Sequence, residues 1–262
     1  MDAVREAFGE ALSREQLATS AASALFFLTV SRVGENVELH RKNADGTWTP
    51  LSLKERKNIA VSVCGGLHAL IATAVSLHVF ASKDPAIYTQ AYGRSQVSQT
   101  LFAFSSGYFA WDLAMCLANP DVFGYDFLFH ASTCLVTYVL GQRPYLNYYG
   151  AMFLLFEMST PFLHARSILL TTGRKDHPWF DFIQNCFGWS FLLVRVFYGY
   201  PLSAYFLRDM LALYRAGDVR SRFHFYFHVT ANFCMCLLNA FWLRQMIRKR
   251  QSKMKKKGAK DD

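Results

Sequence analysis

The chain alternates long apolar blocks with short polar joints, and this pattern predicts a bundle of membrane-spanning helices. A helix of about 20 apolar residues crosses the hydrocarbon layer and satisfies its backbone hydrogen bonds internally. Because the joints are short, we expect neighbouring spans to be antiparallel within one membrane domain. About seven spans are predicted, at residues 17–33, 59–81, 97–118, 126–140 (extended backward to 123), 147–170, 179–207 and 223–246.

Two of these spans carry residues that disturb a straight helix. Pro161 lies inside the fifth span and predicts a kink, because proline has no backbone N–H to donate. The sixth span is long enough to tilt, or to break near Gly199-Tyr200-Pro201.

Composition supports the membrane class, because 52% of the residues are hydrophobic and only 18% are charged. A soluble domain usually carries about 25% charged residues. We therefore predict an all-α polytopic membrane protein.

The formal net charge is +9, and much of it lies in the basic tail that follows the last span. Such a run is typical of a topology signal and of attraction to anionic lipid headgroups, so we do not expect nucleic acid as a partner. In the flanks of the seven spans, lysine and arginine are more numerous on the side that holds this tail. We therefore predict a cytosolic C-terminus and an N-terminus on the opposite side.

Cysteine and histidine spacing does not indicate a metal site. None of the six cysteines forms a CxxC pair, so we expect them to be small buried residues. His224 and His228 have the i, i+4 spacing of metal ligands, but no HExxH glutamate accompanies them. We expect no metal and no cofactor.

Ionisable side chains inside the spans are the candidate functional residues. Each costs roughly 2.5–3.5 kcal/mol at the centre of a span, so several together predict a polar interior, either a cavity or a buried network. These residues are His68, Asp112, His130, Glu157, His164 and Arg195.

Glu157 stands among apolar neighbours, and Thr160 and His164 follow it at i+3 and i+7, which predicts one polar stripe on a helix. Two interpretations of Glu157 stay open. It is a general base or headgroup ligand, or it forms an interhelical ion pair with a residue such as Arg195. His130 is likewise either a base or a hydrogen-bond donor within the bundle.

These residues resemble the TLC domain, the membrane domain shared by TRAM proteins, Lag1-type ceramide synthases and CLN8. The resemblance rests on Gly107-Tyr108-Phe109 with Asp112, on His130, on His68, and above all on residues 157–166, which read EMSTPFLHAR. That segment is similar to the TLC-domain-containing (TLCD) branch. The resemblance implies a six-helix barrel around a central cavity, after one extra span, in the endoplasmic reticulum membrane with a lumenal N-terminus.

The implied organisation has three parts. Residues 1–51 hold the first span and a cytosolic loop, residues 52–250 form the TLC domain, and residues 251–262 form the basic tail. The oligomeric state is not indicated.

The sequence departs from the ceramide synthases at the positions that carry their chemistry. Those enzymes have adjacent histidines in the fourth span and acidic residues in the fifth, whereas here Phe129 precedes His130 and Thr160 stands near the second acid. We therefore expect no ceramide synthase activity.

Three functions follow from the resemblance. The first is membrane lipid homeostasis, in which the barrel binds, senses or moves a lipid, with His68, Asp112, Thr160, His164 and Arg195 in the cavity. The second is a lipid acyltransferase that uses His130 and Glu157, with acyl-CoA as a candidate donor. The third is a cargo or interaction protein of the endoplasmic reticulum.

Overall fold

The computed structural model describes residues 11–88, 90–120 and 122–261, with side chains as far as residue 252. Its helical elements include a 3₁₀ segment (Leu155–Ser159) and a π-helical segment (Leu192–Phe197). The elements in chain order are α1 (Arg14–Asn36), β1 (His40–Lys42), β2 (Trp48–Pro50), α2 (Leu53–Ser82), α3 (Pro85–Tyr88), α4 (Gln96–Ala118), α5 (Tyr125–Gly141), α6 (Asn147–Leu154), α7 (Thr160–Thr171), α8 (Phe180–Phe191), α9 (Gly199–Arg215) and α10 (Arg222–Asp261).

The predicted class, an all-α polytopic membrane protein, is confirmed. Helices α1, α2 and α4, and the continuous segment Phe180–Arg215, are long and apolar enough to cross a membrane. Helix α5 has 17 residues, and α6 and α7 are separated by the 3₁₀ segment. The total of seven spans therefore stays a prediction.

The first two long helices each begin at a capping box. Ser13 caps α1 with Gln16, and Ser52 caps α2 with Glu55. In both, the serine hydroxyl accepts from a backbone N–H of the first turn while the longer side chain accepts from the serine N–H, so donors without helical partners are satisfied.

Six helical segments close into a ring. Around the ring, α2 packs on α4, α4 on α5, α5 on α10, α10 on α9, α8 on α7, and α7 returns to α2. Helix α1 lies outside the ring against α2 and α4. This is the predicted six-helix barrel after one extra N-terminal helix.

Small residues bring α1 close to the ring. A Cβ at Gly107 would overlap the α1 backbone at Ser20, so only glycine permits this approach. The Ser23 hydroxyl donates to the Phe104 carbonyl at 2.7 Å, and Phe27 is fully buried between the helices. The first predicted span is thus a helix that packs on the ring along one side.

A β-hairpin, which the sequence analysis did not predict, lies in the joint between α1 and α2. The Lys42 backbone N–H donates to the Thr172 carbonyl at 3.0 Å, and the Lys42 ammonium lies 2.7 Å from Asp176. The hydrogen bond from the Lys42 ammonium lowers the pKa of the Asp176 carboxyl. Lys57 nearby donates to Asn119 at 3.2 Å, so three joints meet at this end, which we call the hairpin end.

The remaining joints meet at the opposite end of the ring. The Leu146 N–H donates to the Ala91 carbonyl at 2.7 Å, and the Tyr92 hydroxyl donates to the Asp218 carbonyl at 2.5 Å. Gln16, at the start of α1, reaches the loop after α5. The joints therefore divide between two ends in the alternation that the sequence predicts.

The fifth predicted span is interrupted rather than simply kinked. Pro161, in the first turn of α7, has no N–H for the Glu157 carbonyl, and that carbonyl accepts from the Thr160 N–H instead. This i→i−3 bond is the tighter 3₁₀ geometry. Glu157 therefore lies in the 3₁₀ segment and not in a regular α-helix.

The predicted break in the sixth span lies earlier than expected. The helix widens over Leu192–Phe197, where the Tyr198 N–H donates to the Leu193 carbonyl at 2.9 Å, and then continues through Pro201 to Arg215. Pro201 is accommodated because the preceding turn has already left the regular α pattern.

Candidate functional site

A cavity lies inside the ring between α5, α6, α9, α10 and the two irregular segments. The space open to the centre of a water-sized sphere is about 90 Å³, which is several times what one water needs. Its wall is mostly apolar and aromatic, with polar groups at both ends. The lining residues that carry the argument are His130, Glu157, Arg195, Phe206, His228 and Asn232.

Arg195 is the most enclosed charge of this wall. It is 6% exposed, and the π-helical segment directs its guanidinium inward. It donates to Asn239 at 3.2 Å and to Ser159 at 3.4 Å, and it lies 5.4 Å from the centre of the Trp242 ring. Asn239 is thus a hydrogen-bond partner of Arg195 that the sequence did not indicate.

Glu157 faces Arg195 across the cavity wall, with Oε1 3.9 Å from Nη2. The glutamate is 8% exposed, so both charges are almost removed from solvent. A charge in such a place requires a partner, because the desolvation cost is several kcal/mol per ion. The ion pair that the sequence analysis considered is therefore present.

His130 lines the same cavity but is not joined to Glu157. Its ring nitrogens lie 3.8 Å from Cys134 Sγ, one turn away, and its ring packs 5.6 Å from that of Trp242. Within the described residues no hydrogen bond connects His130 with a carboxylate. The histidine therefore lacks the acidic partner that fixes the tautomer of many catalytic histidines.

His68 lies outside the cavity, between α1, α2 and α4. It is fully buried, stacks on Tyr108 at 3.9 Å between ring centroids, and contacts the Ser105 hydroxyl at 3.1 Å. These contacts give it a packing role at the junction of α1 with the ring.

Asp112, Thr160 and His164 also do not line the cavity. Asp112 is half-buried on α4, and Thr160 is buried at the start of α7. His164 packs on Gly65 of α2, where a Cβ would overlap its imidazole ring. The lipid-contacting role predicted for these residues stays a prediction, and it would need a site other than this cavity.

Of the predicted polar stripe of Glu157, Thr160 and His164, Glu157 lines the cavity and the other two residues do not. The prediction assumed one regular helix, whereas the 3₁₀ segment separates Glu157 from α7. The regular 3.6-residue period cannot be carried across that segment. As a result Glu157 faces Arg195, and His164 faces α2.

Helix α10 supplies a polar group that sequence reasoning did not assign to the cavity. His228 and Asn232 both line it, at i and i+4. Ser203 of α9 lies beside them and accepts from Asn232 Nδ2 at 3.1 Å. The available signal was the pair of polar residues one turn apart in the predicted last span.

The arrangement suits a ligand that is largely apolar and carries a polar group. An apolar wall favours a hydrocarbon chain, and a few placed polar groups orient it. The polar groups stand in two places, the Arg195 and Glu157 pair towards the hairpin end and the α10 residues towards the opposite end. The fold and site together define a polytopic helical-barrel membrane protein with an internal cavity.

The chain belongs to the TLC-domain family. The profile of the TLC domain of the TRAM, LAG1 and CLN8 proteins matches residues 58–248, which includes most of the ring and leaves α1 outside.

Several curated relatives share the family. A Schizosaccharomyces pombe protein, described as an uncharacterized TLC domain-containing protein, is 28% identical over 86% of this chain and 75% of its own length. Topoisomerase I damage affected protein 4 of Saccharomyces cerevisiae is 30% identical over 62% of this chain and 57% of its own. TLC domain-containing protein 4 C of Dictyostelium discoideum is 24% identical over 57% of this chain and 55% of its own.

Proposed function

We propose that the protein binds a membrane lipid, with one acyl chain inside the ring, and acts in membrane lipid homeostasis. The observation that carries the proposal is a cavity with an apolar wall and a buried charge pair, Glu157 with Arg195. A cavity is an expected property of a lipid binder or transporter, and it favours this function over a cargo receptor, which needs no such space.

The contacts of the polar residues favour binding over catalysis. A general base must lie within hydrogen-bond reach of the proton it takes, and its partners should leave it free to do so. Here Glu157 is opposed by the Arg195 guanidinium, and His130 has no carboxylate beside it. This arrangement can hold a polar lipid group without transferring a proton.

Family membership supports the same function and a cellular place for it. TLC-domain proteins are associated with membrane lipid homeostasis. We further propose that this multi-pass protein resides in the endoplasmic reticulum membrane with a lumenal N-terminus and a cytosolic C-terminus. Basic residues close to the last span support this orientation.

A lipid acyltransferase is the second candidate, because His130 and Glu157 line the same cavity. A hydroxyl or amine that attacks a thioester needs a base, and a bound substrate placed between these residues would meet one. Acyl-CoA would be the donor. In a catalytic mechanism, Glu157 would have to break its contact with Arg195 and contact His130 or the substrate instead.

The test of lipid binding is photolabelling of the purified full chain in nanodiscs. The probe is a palmitic acid derivative with a diazirine in its chain and an alkyne for detection. Ala231 lines the cavity on α10, so Ala231→Phe should fill it and reduce labelling of cavity peptides at least about fivefold.

The matched control is Ala240→Phe, on the exposed side of the same helix, which should label like the wild-type protein. Labelling that is equal in all three proteins, or confined to the lipid-facing surface, would exclude the cavity as the binding site.

A further inference from the structure

The tautomer of His228 follows from one hydrogen bond. Its Nδ1 lies 2.7 Å from the His224 backbone carbonyl, which can only accept. Nδ1 therefore carries the proton, and in the neutral imidazole Nε2 is an acceptor. Nε2 has no hydrogen-bond partner among the described residues, and His228 lines the cavity.

Asn232 presents a second acceptor one turn further along α10. Its Nδ2 donates to Ser203 Oγ, which also accepts from the Cys236 thiol at 3.3 Å. These contacts direct Oδ1 away from Ser203. Oδ1 is buried and has no hydrogen-bond partner in the described part of the chain.

The two acceptors lie on one face of one helix, because residues at i and i+4 are neighbours on the helix surface. The buried Asn232 Oδ1 is costly without a donor, and both side chains line the same cavity. The arrangement is therefore complete only when a donor enters. A metal ion is not indicated, because the described residues contain no group of three His, Cys, Asp or Glu side chains placed to hold one.

The charges of the cavity select among possible donors. An ammonium group would bring a cation into a mostly apolar cavity in which the carboxylate of Glu157 is already opposed by Arg195. A carboxylate headgroup would place its oxygens against two acceptors. A neutral hydroxyl donates one hydrogen bond and adds no charge, so it fits both constraints.

We infer that His228 and Asn232 form the headgroup subsite of the cavity, and that they bind the hydroxyl of a neutral lipid alcohol. The inference rests on the proposed function, because it takes the cavity to be the lipid site. The acyl chain then extends from this subsite along the apolar wall, past Phe206 and Met235, towards Arg195.

The test compares three photoactivatable probes with the same diazirine-bearing chain: a primary alcohol, its methyl ether and the corresponding primary amine. In nanodiscs the wild-type protein should bind the alcohol about tenfold more tightly than the ether, because the alcohol donates to one of the two acceptors and the ether donates to neither. It should also prefer the alcohol to the amine.

Variants of the subsite test whether His228 and Asn232 cause the preference for the alcohol. The double variant His228→Phe with Asn232→Leu should lose the preference for the alcohol while still binding the ether, which shows that the cavity remains. Asn232→Asp, which keeps the shape and adds a negative charge, should shift the preference towards the amine. His224→Phe is the matched control one turn earlier, outside the cavity lining, and should keep the preference.

The outcomes separate the two proposals. Equal binding of alcohol and ether by the wild-type protein, a preference for the amine, or an unchanged preference in the double variant would overturn the subsite while leaving lipid binding intact. If Ala231→Phe leaves labelling by all three probes unchanged, lipid binding in the cavity itself fails.

Discussion

The indole nitrogen of Trp242 donates to Asp126 Oδ2 at 2.8 Å, which links the last helix of the ring to α5 across 116 residues of sequence. This bond lies at the hairpin end, beside His130 and Arg195. It closes the ring where the cavity carries its charge pair.

We expect Asp126→Leu to lower the free energy of unfolding by about 1–3 kcal/mol, because the Trp242 N–H loses its acceptor in a half-buried place. Asp126→Asn keeps an acceptor and should lose less. Thermal unfolding in detergent, followed by tryptophan fluorescence, measures both. The neighbouring Tyr125, which is 88% exposed, gives the control Tyr125→Phe, expected to match the wild-type protein.

The buried ion pair should show strong coupling between its members. Either Glu157→Met or Arg195→Met leaves one charge buried with reduced compensation, at a cost of about 3–5 kcal/mol. The double variant should cost less than the sum of the single ones, because it leaves no charge behind. Additive losses in thermal unfolding would show that the 3.9 Å pair contributes little and that Asn239 and the aromatic rings suffice for Arg195.

Conservative changes at the site should separate function from folding. Glu157→Gln retains shape and hydrogen bonding, and His130→Ala removes a ring that contacts the Cys134 sulfur and packs on Trp242. Both variants should remain abundant in membranes yet fail to rescue a strain that lacks the gene. If rescue is lost only in proportion to protein abundance, the two residues are structural.

The orientation in the membrane can be tested with glycosylation acceptors. An acceptor sequence inserted in the joint at 208–222 should be modified, whereas one inserted after Lys257 should not. Modification of the tail site alone would reverse the proposed orientation. If neither acceptor is modified, a third acceptor placed at the N-terminus serves as the control. We expect that acceptor to be modified.

We expect no N-acylation of a sphingoid base by fatty acyl-CoA. The histidine before His130 is replaced by Phe129, and Thr160 stands near the second acidic position of the ceramide synthases. The assay uses purified protein in detergent with a ceramide synthase as positive control. Turnover that is lost in His130→Ala would show that one histidine is sufficient and would favour the acyltransferase.

The long apolar blocks made the helices and their order predictable, because a span must satisfy its backbone within itself. The Arg195 partner was predictable for a related reason, since a buried charge requires compensation. The hairpin was not, because its strands are three residues each and their pairing depends on a contact with the loop after α7.

The cavity residues were predicted less well than the helices. His130, Glu157 and Arg195 line it, but His68 and His164 occupy helix contacts, and sequence does not distinguish a histidine that packs on Gly65 from one that faces a cavity. His228 was missed because its partner is the carbonyl of His224 in its own helix. Such a contact leaves no mark in the residue pattern.

The π-helical segment has a consequence for mapping the outer surface of the protein. Each residue advances an α-helix by about 100°, so a turn that accommodates one extra residue offsets everything after it by about that angle. A helical wheel drawn through Phe180–Arg215 as one uniform helix would therefore misplace either Trp189 or Tyr205, both of which are more than half exposed. Spin labels or cysteine-accessibility probes for this helix should be placed with two wheels, one for each side of Leu192–Phe197.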